Sequence, residues 1–231
     1  MDIKPIKPFS EEAKKVARFR DEIVSKLKNT PAEGTEVEYL DKKFFVKQGV
    51  FWPHDDSKPL VENFYIKPGE QVLDVCTGAG TIAIFSALKG ARQVVALDIN
   101  PDAVASVEIN SKRYGVENIV DARVSDMFSV LGPEEKFDVI TCNPPFSDLE
   151  STDAAQDTVK DPDLRVHRAL FEGLPKHLKP GGRVYLSQAN FGNVEEMLVL
   201  AKEHCFSSKL IGSLIMKDDP RIFYAFELML Q

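Results

Sequence analysis

From about residue 70 onward, short apolar runs alternate with longer amphipathic stretches. The runs "QVLDVC", "QVVALD", "NIVDARVS", "FDVITC" and "GGRVYLSQ" are rich in Val, Ile and Leu, the pattern of strands buried on both faces. Between them the spacing predicts helices around "TIAIFSALKG", from Pro101 to about Tyr114, from about Asp163 to Leu178, and over "NVEEMLVLAKEH". Pro101 suits the first turn of its helix and Gly115 the stop. The last two runs, "FSSKLIGSLIM" and "RIFYAFELML", have only Asp218-Asp219-Pro220 between them as a break, so they pair antiparallel. This order predicts an α/β domain with a mostly parallel sheet and helices on both faces.

The chain before this body reads differently. Ser10 caps a helix running to about Lys28, with Val16, Phe19, Ile23 and Leu27 at helical spacing. Some of its apolar positions must dock, on the body or on another chain. "EVEYLDKKFFVK" predicts a hairpin turning near Asp41-Lys42, and a short helix is expected from Ser57 to about Tyr65, before the break at Lys67-Pro68-Gly69. We divide the chain into an extension, residues 1–49, and a main domain, residues 50–231.

Composition narrows the function. The 231 residues are 43% hydrophobic and 28% charged, with a net charge of −7. That balance opposes broad, sequence-independent binding to a nucleic-acid duplex, although the first thirty residues carry a local excess of Lys and Arg. No apolar run approaches the ~20 residues of a membrane span. The start "MDIKPIKPFSEEAKK" lacks the apolar core of a signal peptide. Cys76, Cys142 and Cys205 form neither a disulfide framework nor a zinc pattern, and the four histidines show no ligand spacing. We expect buried free thiols, no metal, no membrane and a cytoplasmic setting.

"VLDVCTGAGTIAI" places Gly78 and Gly80 where a strand turns into a helix, which lets backbone approach a ligand. With Ala83, the glycines satisfy a loose dinucleotide pattern, and Asp98 ends the next strand, where an acid holds the ribose hydroxyls of NAD or of any adenosine ligand. Asp74 separates these readings. A pyrophosphate would meet its extra negative charge, whereas a ligand bearing an ammonium and a sulfonium would gain from it. S-adenosylmethionine is such a ligand. Each acid also has a purely structural reading: Asp74 bonding the turn's own amides, Asp98 capping a helix, and Asp126, placed to accept from an adenine amino group, capping the turn after it.

The fourth strand runs into Asn143-Pro144-Pro145-Phe146. An amide or aromatic amine is a poor nucleophile because its lone pair is delocalised. A site that methylates it must take both N–H groups and stabilise positive charge on nitrogen. The Asn143 side-chain carbonyl and the Pro144 backbone carbonyl are two acceptors, the prolines fix the loop, and Phe146 offers a flat face.

In the order "VLDVCTGAG", "VVALDINPDAV", "ARVSDMF", "FDVITCNPPF" and "LKPGGRVYL", the chain resembles class I S-adenosylmethionine-dependent methyltransferases from about Val50 to Leu230. The resemblance implies a Rossmann-like sheet of seven strands with an antiparallel strand inserted at the C-terminal end. Cys76 stands where many members have a first glycine, which implies a local adjustment of the turn. Together, residues and resemblance set the expected sites. Cofactor contacts fall at Asp74, Cys76, Thr77, Gly78, Gly80, Asp98, Ile99, Asp126, Met127 and Asn143. Catalysis falls to Asn143, Pro144 and Phe146, and substrate contacts to Pro53, Pro145 and Phe146.

In that family the Asn-Pro-Pro-aromatic motif accompanies methylation of exocyclic amino groups on bases and of glutamine amides. Upstream, "PHDDSKPLVE" is similar to the Pro-Arg-Pro-Glu-Thr-Glu-Leu-Leu-Val-Glu pattern of release-factor glutamine methyltransferases, matching at Pro53, Asp56, Ser57, Leu60, Val61 and Glu62. His54 replaces the arginine and Lys58 a glutamate, and that family's long helical N-terminal domain has no counterpart in the fifty or so residues before Val50. Small RNA N-methyltransferases share the same core. The resemblance therefore leans to a protein glutamine, of the release-factor type, over an adenine or guanine in rRNA or tRNA. A small-molecule acceptor and a non-catalytic partner subunit are the remaining alternatives. The acidic stretch Ser147–Asp161 either closes over the substrate or is plain surface loop.

Overall fold

The computed structural model describes residues 3–6, 10–147 and 158–231. Seven strands form one sheet: β3 (Gln71–Val75), β4 (Gln93–Asp98), β5 (Val120–Val124), β6 (Phe137–Cys142), β7 (Leu178–Ala189), β8 (Phe206–Ile215) and β9 (Ile222–Leu230), in the order β5-β4-β3-β6-β7-β9-β8. The pairs from β5 to β7 are parallel. β9 pairs antiparallel with β8, as the helix-free connection requires, and inserts between β7 and β8, as the resemblance implies. The remaining helices are α2 (Lys58–Asn63), α3 (Thr81–Leu88), α4 (Pro101–Arg113), α5 (Arg165–His177) and α6 (Val194–Glu203). Alternation along each strand divides the core. Leu73, Val75 and Ile140 meet Leu170, Phe171 and Leu174 of α5 and Met197 of α6 on one face. Val72, Val94 and Val139 meet Leu60 of α2, Ile82 and Ile84 of α3 and Val107 of α4 on the other.

The N-terminal elements are α1 (Glu11–Asn29), β1 (Thr35–Tyr39) and β2 (Lys42–Val46). Ser10 caps α1 by accepting from the Ala13 amide at 3.1 Å. Val16, Ile23 and Leu27 are buried against the body, which accounts for the helix's apolar face. Leu40 and Asp41 turn the β1–β2 hairpin in the left-handed region. Phe44 of β2 is fully buried among Tyr39, Phe85 and Tyr114. Helix α5 starts two residues later than its spacing predicts, because Asp163 and Leu164 have positive φ. The thiols also depart from expectation: Cys142 is buried and Cys76 half-buried, but Cys205 is exposed at a left-handed turn after α6. No described helix is long and apolar enough to cross a membrane.

Candidate active site

The strand order reverses between β3 and β6, so the loops leaving their carboxyl ends line one crevice, the usual ligand site of an open α/β sheet. From β3 comes the turn Cys76–Gly80, and from β6 comes Asn143–Phe146.

The turn is held from beneath. Asp74 is fully buried. Its Oδ2 accepts from the Thr77 hydroxyl at 2.6 Å and its Oδ1 from the Thr141 hydroxyl at 2.7 Å, which ties β3 to β6. Burial pushes its pKa up to about 6 against those hydrogen bonds, and the charge of Asp98 adds to the rise. Asp74 thus reaches a ligand through its field and through the turn it shapes. Asp98, at the end of β4, accepts from the Gly78 amide at 2.8 Å and the Asn100 amide at 2.9 Å. Burial raises its pKa as well. It does not cap α4; Asn100 does, accepting from the Asp102 amide.

The two glycines differ in purpose. Gly78 has a φ of 55° with nothing nearer to an added Cβ than the Phe51 carbonyl at 3.6 Å, so conformation and an open approach explain it. Gly80 has a φ of 82°, and an added Cβ there would also stand 2.9 Å from Val107, so that glycine serves both the turn and the packing of α4 against it. Cys76 occupies a left-handed φ of 58°, the adjustment expected where relatives have glycine, and its thiol meets that of Cys142. Thr77 is buried, Ile99 is 68% exposed at the rim, Asp126 is exposed and Met127 half-buried with a positive φ. Two carboxylates beneath and beside an open turn suit an adenosine ligand carrying positive charge and oppose a pyrophosphate.

On the β6 side, Asn143 meets a residue to which the sequence reading gave no role. Asp56, buried in the turn before α2, accepts from Asn143 Nδ2 at 2.8 Å through Oδ2. That bond fixes the carboxamide, yet Asn143 Oδ1 and Asp56 Oδ1 are both buried with no hydrogen-bond partner. Burial without a cation pushes the Asp56 pKa up to about 7. Ser57 holds this turn by donating to the His54 carbonyl at 3.0 Å and bonding the Tyr39 hydroxyl at 2.9 Å. Asp56 was legible only as one match in the "PHDDSKPLVE" segment; its partner lies 87 positions away.

The motif is braced on its outer side. Pro144 is buried, while Pro145 and Phe146 are half-buried. Phe146 packs edge-on against Phe191 at 5.6 Å, and an added Cβ at Gly192 would come within 2.4 Å of the Phe146 carbonyl. Ser147 accepts a hydrogen bond from Arg20 of α1, and Phe19 of α1 lies 5.4 Å from the ring of His54, beside the buried Pro53. Farther along, buried Asp161 bonds His167 Nδ1 at 2.6 Å, and His167 Nε2 lies 3.3 Å from Gln188. This buried strut anchors the chain after the motif to α5 and β7 and went unnoticed in the sequence. Of the acidic stretch Ser147–Asp161, residues 148–157 lie outside the described residues.

Comparison with known proteins shows the family. The methyltransferase small domain model matches residues 42–207. A release factor glutamine methyltransferase of Koribacter versatilis is 33% identical over 72% of this chain and 65% of its own length. One from Cereibacter sphaeroides is 30% identical over 78% of this chain and 68% of its own. The chain thus spans just under two thirds of the first of these relatives. Among solved structures, the T. thermophilus 16S rRNA N2 G1207 methyltransferase, in complex with AdoMet and guanosine, shares the fold with a TM-score of 0.61 at 22% identity, covering 86% of this chain and 50% of that one.

Proposed function

The chain belongs to the methyltransferase small domain family, and from that premise we propose that it is an S-adenosylmethionine-dependent N-methyltransferase acting on a protein glutamine amide of the release-factor type. The observation that carries the nitrogen assignment is Asn143 Oδ1, buried, without a partner, and fixed in orientation by Asp56. An unpaired buried acceptor costs about 1–3 kcal/mol, and a planar NH2 group supplies the donor it lacks.

When bound, S-adenosylmethionine supplies a methyl group made electrophilic by the sulfonium. The chain does the rest by position and electrostatics. In this reading the Cys76–Gly80 turn and Asp98 hold the adenosine part, with Ile99 and Met127 at its rim and Asp126 nearby. Asp74 contributes its field. Asn143 Oδ1 and the Pro144 carbonyl take the two N–H groups, so the nitrogen lone pair points across the crevice. Phe146 and Pro145 flank the planar group, and Pro53 closes the wall behind it. Support for glutamine comes from two relatives at 30% and 33% identity named for that activity, and from the segment Pro53–Glu62.

The test is to incubate the purified chain with methyl-labelled S-adenosylmethionine and, separately, a recombinant unmethylated release factor and total RNA. The expected result is label on the release factor, located by mass spectrometry on a glutamine. Label confined to a nucleobase would replace the protein acceptor with RNA.

A further inference from the structure

We propose that Asp56 is a catalytic residue of this site, its free Oδ1 receiving the proton that the acceptor nitrogen loses on methylation. The inference rests on the planar-nitrogen reading above and assigns a step that reading leaves open. When an NH2 group is methylated, the N–CH3 bond forms, the S–CH3 bond breaks with its electron pair left on sulfur, and one N–H bond must break. Removing that proton as the N–C bond forms spares an amide nitrogen a full positive charge. The proton needs a base within reach of the nitrogen.

The geometry offers one. Asp56 is 5% exposed, and its Oδ2 is occupied by Asn143 Nδ2 at 2.8 Å. Its Oδ1 is buried with no partner, like the Oδ1 of Asn143 itself. A group that donates one N–H to Asn143 Oδ1 is held by the same bonded pair that carries the vacant Asp56 Oδ1, and as the N–C bond forms that N–H gives its proton to the carboxylate, since a carboxamide oxygen is too weak a base to keep it. Asn143 and Asp56 belong to different elements, so the coincidence of two unpaired oxygens is a feature of the assembled crevice. The other buried carboxylate of the crevice, Asp74, has both oxygens bonded by threonine hydroxyls and no vacancy to offer.

The surroundings suit a base that works near neutral pH. Burial, opposed by the Asn143 hydrogen bond and by the nearby amides of Ser57 and Asp56, which form no well-aligned bond to Oδ1, places the Asp56 pKa at about 7. Asp55, next in the chain, adds to the rise by its charge. From β1, Tyr39 bonds Ser57, and its own pKa is pushed up, first by burial and partly by Asp56. From β6 the facing group is the uncharged Asn143. His54, two residues earlier, is itself held toward its neutral form by burial. No cation pairs with Asp56 among the described residues.

Two measurements decide the matter. Carboxyl-carbon NMR of the unaltered protein, with and without S-adenosylhomocysteine, should show an aspartate titrating at about 7, above Asp74 at about 6, that disappears in Asp56→Asn. A midpoint for Asp56 in the ordinary carboxylate range would overturn the proposal. In single-turnover methylation of a recombinant release factor, the unaltered rate should rise with pH to a plateau above neutrality. Asp56→Asn should lower it about 10²–10⁴-fold, remove that rise, and leave S-adenosylhomocysteine affinity by calorimetry within about threefold of normal. An N-methylated product with undiminished Asp56→Asn turnover would remove this inference alone. A rate that falls as Asp56 loses its proton would make the group an acid and also overturn it. A product methylated on carbon, oxygen or sulfur would instead sink the planar-nitrogen reading on which the inference stands.

Discussion

The two sides of the crevice treat their buried carboxylates differently. On the β3 side, Asp74 has each oxygen met by a threonine hydroxyl, and Asp98 collects two backbone amides. On the β6 side, Asp56 and Asn143 bond each other once and leave an oxygen apiece without a partner. Both Asp56 and Asp74 are fully buried, and burial raises both pKa values. The difference is in satisfaction. The turn side is finished by its own chain, so its carboxylates shape the backbone that faces the donor. The motif side is unfinished, and an incoming donor completes it. Natural proteins carry such deficits rarely, and they concentrate where function demands them.

The sharpest way to break this contrast is Asn143→Ala. It removes the vacant acceptor and the partner of Asp56 while leaving the turn untouched. Loss of one oriented transition-state contact typically lowers turnover about 10²–10³-fold; here two acceptors are disturbed, and methylation should fall at least that far. Calorimetry with S-adenosylhomocysteine should show affinity within about threefold of normal. Equal losses in turnover and cofactor affinity would mean that the two sides are not separable.

A second test uses stability. Asp56 and Asp74 have folded-state pKa values raised to about 7 and about 6. A raised acid binds its proton more tightly when folded. Its favourable contribution is therefore complete below the unfolded value near 4 and is lost as pH rises through the folded one. Asp56→Asn keeps an acceptor for Asn143 Nδ2 and abolishes the charge, so the variant should gain on the unaltered protein as pH rises from about 4 to about 8. At about 1.4 kcal/mol per pKa unit over about three units, the gain is on the order of 4 kcal/mol. Denaturant midpoints at matched pH read it directly. The comparison must be between the two proteins, because Glu70, whose pKa the Arg183 hydrogen bond lowers, contributes stability that is lost as pH falls. No relative gain with pH would mean that Asp56 is solvated in solution.

The fold was legible because its strands are short apolar runs and its breaks carry Gly and Pro. Even the antiparallel pairing of β8 and β9 followed from the missing helix between the last two runs, while the insertion of β9 beside β7 came from the family resemblance. The turn and the Asn-Pro-Pro-Phe loop were legible for the same reason: each is a contiguous stretch at a strand's end. What escaped depends on parts of the chain that meet only in three dimensions. Asp56 reaches Asn143 across 87 positions, and His167 finds Asp161 and Gln188 only when the chain after the motif folds back on β7. Gly80 also has a packing reason that its place in the turn did not reveal, because Val107 comes from the next helix. Cys205 looked buried by its neighbours, yet a left-handed turn puts it outside.

The smallest expected effect tests whether the β3 side is held by its acids or by the residue in the turn. Cys76 sits at a φ of 58°, where a side chain costs about 1 kcal/mol relative to glycine. Against that relief, Cys76→Gly loses a half-buried thiol packed against the core and meeting Cys142, and it frees the unfolded chain. These effects nearly cancel, so the variant should differ by less than about 1 kcal/mol in a denaturant midpoint. If Thr77, Asp74 and Asp98 set the turn, S-adenosylhomocysteine affinity should stay within about twofold. A tenfold loss of affinity at unchanged stability would show that the cysteine side chain shapes the cofactor surface, and that the turn is less complete without it than its hydrogen bonds imply.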